Sequence, residues 1–187
     1  MMANIPDVAT FQAAVPNTAT EIVFAYYGSV DLTGYTKSGS IGKDIDVYSD
    51  GTKYAVLSGK TIFAPENSAE FFKGRTALTS LNLSNFNTAN ATSFASMFNG
   101  CRGLTSLDLS NFNTAKATSF VKMFYGCSGL TTIIAGDWSA SVTSTNMFNG
   151  CTSLVGGNGT TYNSSHTNGE YARIDVAGNP GYFTAPV

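Results

Sequence analysis

Leu78–Gly129 reads LTSLNLSNFNTANATSFASMFNGCRG and then LTSLDLSNFNTAKATSFVKMFYGCSG. These are two blocks of 26 residues, identical at 20 positions. A third, shorter copy runs from Leu130 to Ser153. Leu78, Leu81, Leu83 and Phe86 follow the spacing of a leucine-rich repeat, in which a large or amide side chain closes the pattern. Leu81 and Leu83, two apart, face inward from a short strand. Thr92 can cap a helix whose Phe94, Met97 and Phe98 share one apolar face. Gly100 sits where a helix ends in a left-handed residue. The block therefore predicts strand, turn, short helix, turn, and no block can bury its apolar face without its neighbours.

The six positions at which the two copies differ provide an internal test. They are Asn82/Asp108, Asn90/Lys116, Ala95/Val121, Ser96/Lys122, Asn99/Tyr125 and Arg102/Ser128. Each falls on an outward strand position, a turn or the outer face of the expected helix. All six pairs should be at least partly exposed.

Upstream, Phe71-Phe72-Lys73-Gly74 matches Met97-Phe98-Asn99-Gly100, so the periodicity begins before Leu78. Asn67 and Glu70 are spaced as a capping box for a short helix over Ser68–Lys73. Asp50-Gly51, between two β-like runs, signals a hairpin. A second turn at Ser58-Gly59 precedes KTIFA, and Pro65 ends the sheet. Asp7 can cap a helix over Val8–Val15 that Pro16-Asn17 terminates, and Glu21–Tyr27 reads as a strand. Residues 1–27 then form either a degenerate first coil covering the core end or an unrelated helix–strand start. Downstream, Trp138 takes the place of Phe86 and Phe112, and two residues are lost before Met147. Tyr171–Val176 reads as a last strand, Asn179-Pro180-Gly181 as a turn, and Tyr182-Phe183 as a cover for the open core end. The expected fold is an α/β leucine-rich-repeat solenoid, one short strand and one short helix per repeat, with caps. Residues 1–187 form one domain: an N-terminal cap with hairpins over 1–66, repeats over 67–154 and a C-terminal cap over 155–187.

Charged residues make up 12% of the chain, about half the usual share of roughly 25%, and the net charge is -2. Nothing here favours nucleic acid or an acidic membrane surface. No apolar run is long enough to insert in a membrane. The start, MMANIPDVATFQAAVPNT, lacks the basic and apolar regions of a signal peptide. This leaves three routes open: the chain stays in the cell, leaves by another route, or is read without its leader.

The motif LTSLDLSNFNT followed by MF-x-GC resembles the BspA-like leucine-rich repeat family of bacterial surface proteins. The closer likeness is to its branch with repeats of about this length, often described only as a domain of unknown function. The tail GGNGTTYNSSHTNGEYARIDVAGNPGYFT resembles the segment that closes many such arrays. The likeness covers roughly residues 45–184. It implies an extracellular or cell-surface location and adhesion to a host matrix protein, another surface protein or a glycan. Members of that family carry a leader and an anchoring tail, neither of which is read in this sequence.

No catalytic constellation is evident, and the reading is that of a non-enzyme without cofactor. Cys101, Cys127 and Cys151 recur at spacings of 26 and 24, which reads as one small apolar core slot repeated, and tightly spaced zinc-ligand pairs are absent. His166, the only histidine, lies in a polar loop without a G-x-S-x-G nucleophile, and its tail position favours a cap role. Gly156-Gly157-Asn158-Gly159 lacks the Lys and Ser/Thr of a phosphate loop. Asp44, Asp46 and Asp50 faintly resemble a calcium loop, but the twelfth position is Ala55.

The outward strand positions form rows: Ser80/Ser106/Thr132, Asn82/Asp108/Ile134 and Ser84/Ser110/Gly136. Ser80, Asn82, Ser106, Asp108, Thr132 and Ile134 are the candidate ligand-binding residues. Asn85, Asn87 and Thr88, with Asn111, Asn113 and Thr114, are expected to satisfy backbone groups in the turns. Two functions stay open: a binding or adhesion module, and a structural or spacer segment of a surface or phage-borne assembly.

Overall fold

A computed structural model describes residues 2–138 and 142–187. In chain order its elements are β1 (Ala3–Asn4), α1 (Val8–Ala14), β2 (Glu21–Tyr26), β3 (Thr36–Ser40), β4 (Asp46–Ser49), β5 (Lys53–Ser58) and β6 (Ile62–Phe63). These are followed by β7 (Ser80–Asn82), β8 (Phe86–Asn87), β9 (Ser106–Asp108), β10 (Thr132–Ile134) and β11 (Phe183–Thr184). The strands form a five-stranded sheet, β3-β4-β5-β2-β7, and two three-stranded sheets, β1-β6-β8 and β11-β10-β9. The α/β leucine-rich-repeat solenoid with a helix in each repeat is therefore incorrect. Among the described residues the one α-helix is α1, which lies before the repeats, and a single 3-10 turn occurs at Gly169–Tyr171.

The backbone explains why no helix forms where the Phe and Met spacing predicts one. Ser96 and Lys122 have φ of 55° and Glu70 and Asn146 have φ of 64° and 57°, each in the middle of an expected helix. A left-handed residue there ends a right-handed helix. The amides also bond elsewhere. The N–H groups of Phe94, Ser96, Phe98 and Gly100 donate to the carbonyls of Ser119, Val121, Met123 and Tyr125 in the next copy, at 2.8–2.9 Å. The intervening amides of Met97, Asn99 and Cys101 close i→i+3 turns onto Phe94, Ser96 and Phe98. Alternate residues thus bond along the stack, whereas a helix would spend every amide within itself. The same arrangement begins at Ser68, Glu70, Phe72 and Gly74 and continues from copy two to copy three. The Asn67 carboxamide accepts from Ala69, two residues on, so the expected capping box is a local turn.

This turn ladder carries the core. Phe72, Phe98, Phe124 and Phe148 stack ring on ring at 5.4, 5.7 and 5.6 Å, within 11° of parallel. Burying each such side chain is worth ~1.5–3 kcal/mol. Cys101, Cys127 and Cys151 line an adjacent column, each thiol donating at 3.0 Å to the carbonyl of Phe72, Phe98 and Phe124. Arg75 occupies the same slot in the first turn segment. Its guanidinium is buried, donates to the Val15 and Pro16 carbonyls at the end of α1, and lies over Phe11. Burial lowers its pKa to about 10.

The N-terminal signals are read more accurately. Asp7 caps α1 by accepting from Thr10 at 2.7 Å. The Asp50-Gly51 hairpin joins antiparallel β4 and β5. β2 runs parallel to β7, in the place of a preceding strand, but β5 lies on its other side, so β2 does not end the sheet. At the C-terminus the expected strand Tyr171–Val176 is absent. Only isolated bridges, Ile174–Phe183 and Val176–Asn179, form, and the turn centres on Ala177-Gly178. Tyr182 and Phe183 are fully buried over the last copy. The Trp138 ring stacks at 5.0 Å on Phe120 and meets Phe183 edge-on at 5.1 Å. The shortened turn after Trp138 falls on residues 139–141, outside the described residues. All six differing pairs are half-buried or exposed, although several sit in turns and not on a helix.

Candidate functional site

The two junctions between copies differ on the strand face. Between copies two and three the strands pair in parallel register, Ser106 with Thr132 and Asp108 with Ile134, and Leu109 donates to Ile134 at 2.8 Å. Between copies one and two no backbone hydrogen bond joins β7 to β9. Their Cα atoms approach within 8 Å without pairing. β7 bonds instead to β2 and β9 to β10, which leaves the facing edges of Leu81, Ser106 and Asp108 without backbone partners. The turn ladder behind this seam is unbroken, through Asn67, Ser93, Ser119 and Thr143.

The seam opens into a groove of about 460 Å³ lined by Leu81, Asn82, Leu83, Ser84, Asp108, Ser110 and Asn111. Asn82 and Asp108 therefore face one groove. Each has one side-chain oxygen pinned by the amide two residues on, Ser84 at 2.9 Å and Ser110 at 3.0 Å. Asn82 keeps its Nδ2 and Asp108 its Oδ2 for solvent or a ligand, already oriented. Ser80 and Ser106 are exposed on the same face but do not line the groove. Thr132 and Ile134 lie beyond it, half-buried, in the strand beside β11. The structure thus brings two of the six candidate residues together and leaves four around them.

Asn111 and Asn85 are matched turn residues of the two copies. They have different surroundings. Asn111 is exposed and reaches across the seam, its Nδ2 donating to the carbonyls of Leu83 at 2.8 Å and Phe86 at 3.2 Å. Asn85 is 2% exposed; its Nδ2 donates to Lys60 at 3.1 Å, and its Oδ1 has no partner. Both line a second volume of about 250 Å³ with Tyr26, Thr61, Ser84, Phe86 and Asn87. Ser84 and Asn111 line both volumes. Only comparison of the copies in three dimensions separates Asn85 from Asn111, because their sequence contexts are the same. The remaining turn amides behave as expected: Asn87 and Asn113 accept from Ala89 and Ala115, and Thr88 bonds Asn113.

The other candidates have structural surroundings. Burial pushes the Cys101 and Cys151 thiols up to about 12 and Cys127 higher, and all three are free. Among the described residues no three of His, Cys, Asp and Glu are grouped to hold a metal ion. His166 is half-buried and stacks at 4.5 Å on Tyr171. Asp175 is engaged elsewhere: its carboxylate accepts from the amides of Asn158, Thr160 and Gly181 and from the Thr160 hydroxyl at 2.6 Å. Burial opposes that charge, but these bonds outweigh it and hold the pKa below 3.8. Gly156 packs where a Cβ would meet the Gly181 carbonyl at 2.3 Å, so the glycine-rich stretch serves close packing. Asp44 pairs with Lys60, Asp46 with Lys37 and Tyr27, and Asp50 holds the hairpin turn.

Among the described residues no helix is long and apolar enough to cross a membrane. Comparison with curated proteins and with solved structures gave no match. A family described as "Mycoplasma protein of unknown function, DUF285" matches residues 65–160, a span that holds the turn ladder and both walls of the seam. This is just over half of the chain, and the protein belongs to that family.

Proposed function

We propose that this protein is a non-catalytic binding module whose strand face receives a protein or glycan ligand at the seam between copies one and two. The observation that carries this reading is the interrupted ladder between β7 and β9, with Asn82 and Asp108 held rigid on either side. Such a site costs little to organise, since the turns that pin the two side chains exist without ligand. The resemblance of the repeat motif to BspA-like surface proteins supports a cell-surface setting and partners such as matrix proteins, other surface proteins or glycans.

Binding assays against immobilised matrix proteins and a glycan array provide the test, with Asp108→Trp and Asn82→Trp as blocking variants and Ser128→Trp, on the exposed end of copy two, as control. Loss of binding in the first two alone supports the strand face. Binding that survives both substitutions removes the face from consideration.

A further inference from the structure

The five-stranded sheet is apolar on both faces, and only one of them belongs to the main core. Ile22, Phe24, Val47 and Val56 point into that core. Val23, Ala25, Ala55 and Leu57 alternate with them and form a separate cluster with Tyr48 on the opposite face. The floor of this cluster includes a cross-strand row. Tyr48, Ala55, Val23 and Asn82 are register neighbours across β4, β5, β2 and β7. The row ends at Asn82, so the apolar floor and the groove wall share one face.

The chain between β2 and β3 covers the floor. Val30, Leu32 and Tyr35 pack onto it and stay half-buried, while Asp31 and Thr33 are exposed. This cover is fastened at its ends and not along its length. Tyr27 donates through its amide to the Ser58 carbonyl and through its hydroxyl to Asp46, and Thr36 enters β3. Among the described residues, the hydrogen bonds of residues 28–34 all stay within 26–35: Ser29 to Tyr26, Thr33 to Asp31 and Tyr35 to Leu32. Gly28 and Gly34 stand at either end with φ of 80° and 83°, each with open space where a Cβ would be, so a swivel meets no obstacle there. A segment held by three half-buried side chains between two glycines is among the least stable parts of a fold.

We propose that residues 28–34 form a hinged strap, which opens while the sheet beneath stays folded and lays bare Val23, Ala25, Ala55 and Leu57 beside Asn82. Closed, the strap is itself the occupant of that floor. Open, it lengthens the polar face at the seam by an apolar end. The strap therefore sets how much of the strand face a partner meets. That consequence rests on the binding-module reading, whereas the movement does not.

The test is thiol labelling of the full chain in native buffer. Ala55→Cys and, in a second variant, Ala25→Cys each place a thiol beneath the strap, and circular dichroism shows which variants are folded. Cys101, Cys127 and Cys151, buried in the main core, report global unfolding in the same sample. The introduced thiol should label at least about a hundred times faster than these three. Adding Leu32→Ala, which loosens the strap's hold, should raise that rate about tenfold and leave the three native cysteines unchanged. Labelling of the introduced thiol only in step with the native cysteines overturns the proposal, because the strap then opens only with the whole fold. A rate that Leu32→Ala does not change also overturns it, because the strap then does not control access to the floor. No ligand enters the measurement, so its failure leaves the binding-module reading to its own assay.

Discussion

Copy one, Leu78–Gly103, and copy two, Leu104–Gly129, share 20 of 26 residues, yet identical side chains meet different surroundings in the two. Phe86 is buried in β8, which pairs with β6, whereas Phe112 is half-buried and in no strand. Asn85, Thr88 and Ala91 are buried; Asn111 is exposed, and Thr114 and Ala117 are half-buried. In the strand the order reverses: Leu81 is half-buried and Leu107 buried. The difference comes from the neighbours. β1 and β6 cover the second turn of copy one, whereas among the described residues no strand pairs with the matching turn of copy two. A repeat specifies its own turns, but what lies beside it decides which of its residues become core and which become site.

Amide hydrogen exchange would break this comparison most directly. The amides of Leu81, Ser106 and Asp108, on the open edges of the seam, should exchange with opening free energies near zero. Those of Leu107 and Leu109, bonded to β10, should approach the global stability, about 5 kcal/mol or more. Equal protection on both edges of β9 would mean that the ladder closes in solution and that no groove exists. Next in size is Phe86→Ala against Phe112→Ala. Loss of a fully buried phenylalanine costs about 3–5 kcal/mol, and the half-buried copy should cost about half as much. Urea denaturation would measure both, and equal costs would show that β6 and β8 do not set the two apart.

The turn side supplies the matched control. Cys101 and Cys127 donate to equivalent carbonyls at 3.0 Å and are equally buried. Cys101→Ala and Cys127→Ala should each cost about 1 kcal/mol for the lost thiol hydrogen bond, since the Phe72 and Phe98 carbonyls keep a backbone donor. Their titration gives a signed pH effect. The folded thiols hold their protons up to about 12 for Cys101, above the ordinary 9.0. Between those values the unfolded chain releases protons that the folded chain retains, so stability falls as pH rises through that window and is unaffected well below 9. Native protein should resist thiol reagents at pH 8, with all three cysteines reacting only after unfolding. Rapid labelling of the folded protein would contradict the buried column.

Much of this architecture was legible in the chain and some of it was not. The register was legible because the copies differ only where side chains reach solvent, a pattern that does not depend on backbone type. Helix and stacked turns both place Phe94, Met97 and Phe98 on one side, so apolar spacing could not choose between them. The choice was made by amides bonding across copies and by left-handed Ser96 and Lys122, residues that carry no local signal for that conformation. The site was half legible. Asn82 and Asp108 are legible as outward strand positions. Asn85 and Asn111 were hidden by their identity, and only β2, β6 and the Lys60 carbonyl distinguish them.

Thr88 and Thr114 give the smallest test and the most local one. The Thr88 hydroxyl donates to the Asn113 carbonyl at 3.1 Å and accepts from the Asn113 amide at 2.8 Å, so one buried side chain joins copy one to copy two where no strand pairing does. Thr114 is half-buried. Thr88→Ala should cost about 1 kcal/mol, since exposed Asn113 can turn to water for part of what it loses. Thr114→Ala, at a half-buried position, should cost less than Thr88→Ala at a buried one. The pair matters because Thr88 lies on the strand-to-turn path beside the pocket. If Thr88 helps hold the copies at their present spacing, Thr88→Ser, which keeps the hydroxyl, should restore most of the loss in urea denaturation. If the serine variant is as unstable as the alanine one, the buried methyl and not the bridge joins the copies, and the seam is set by packing alone.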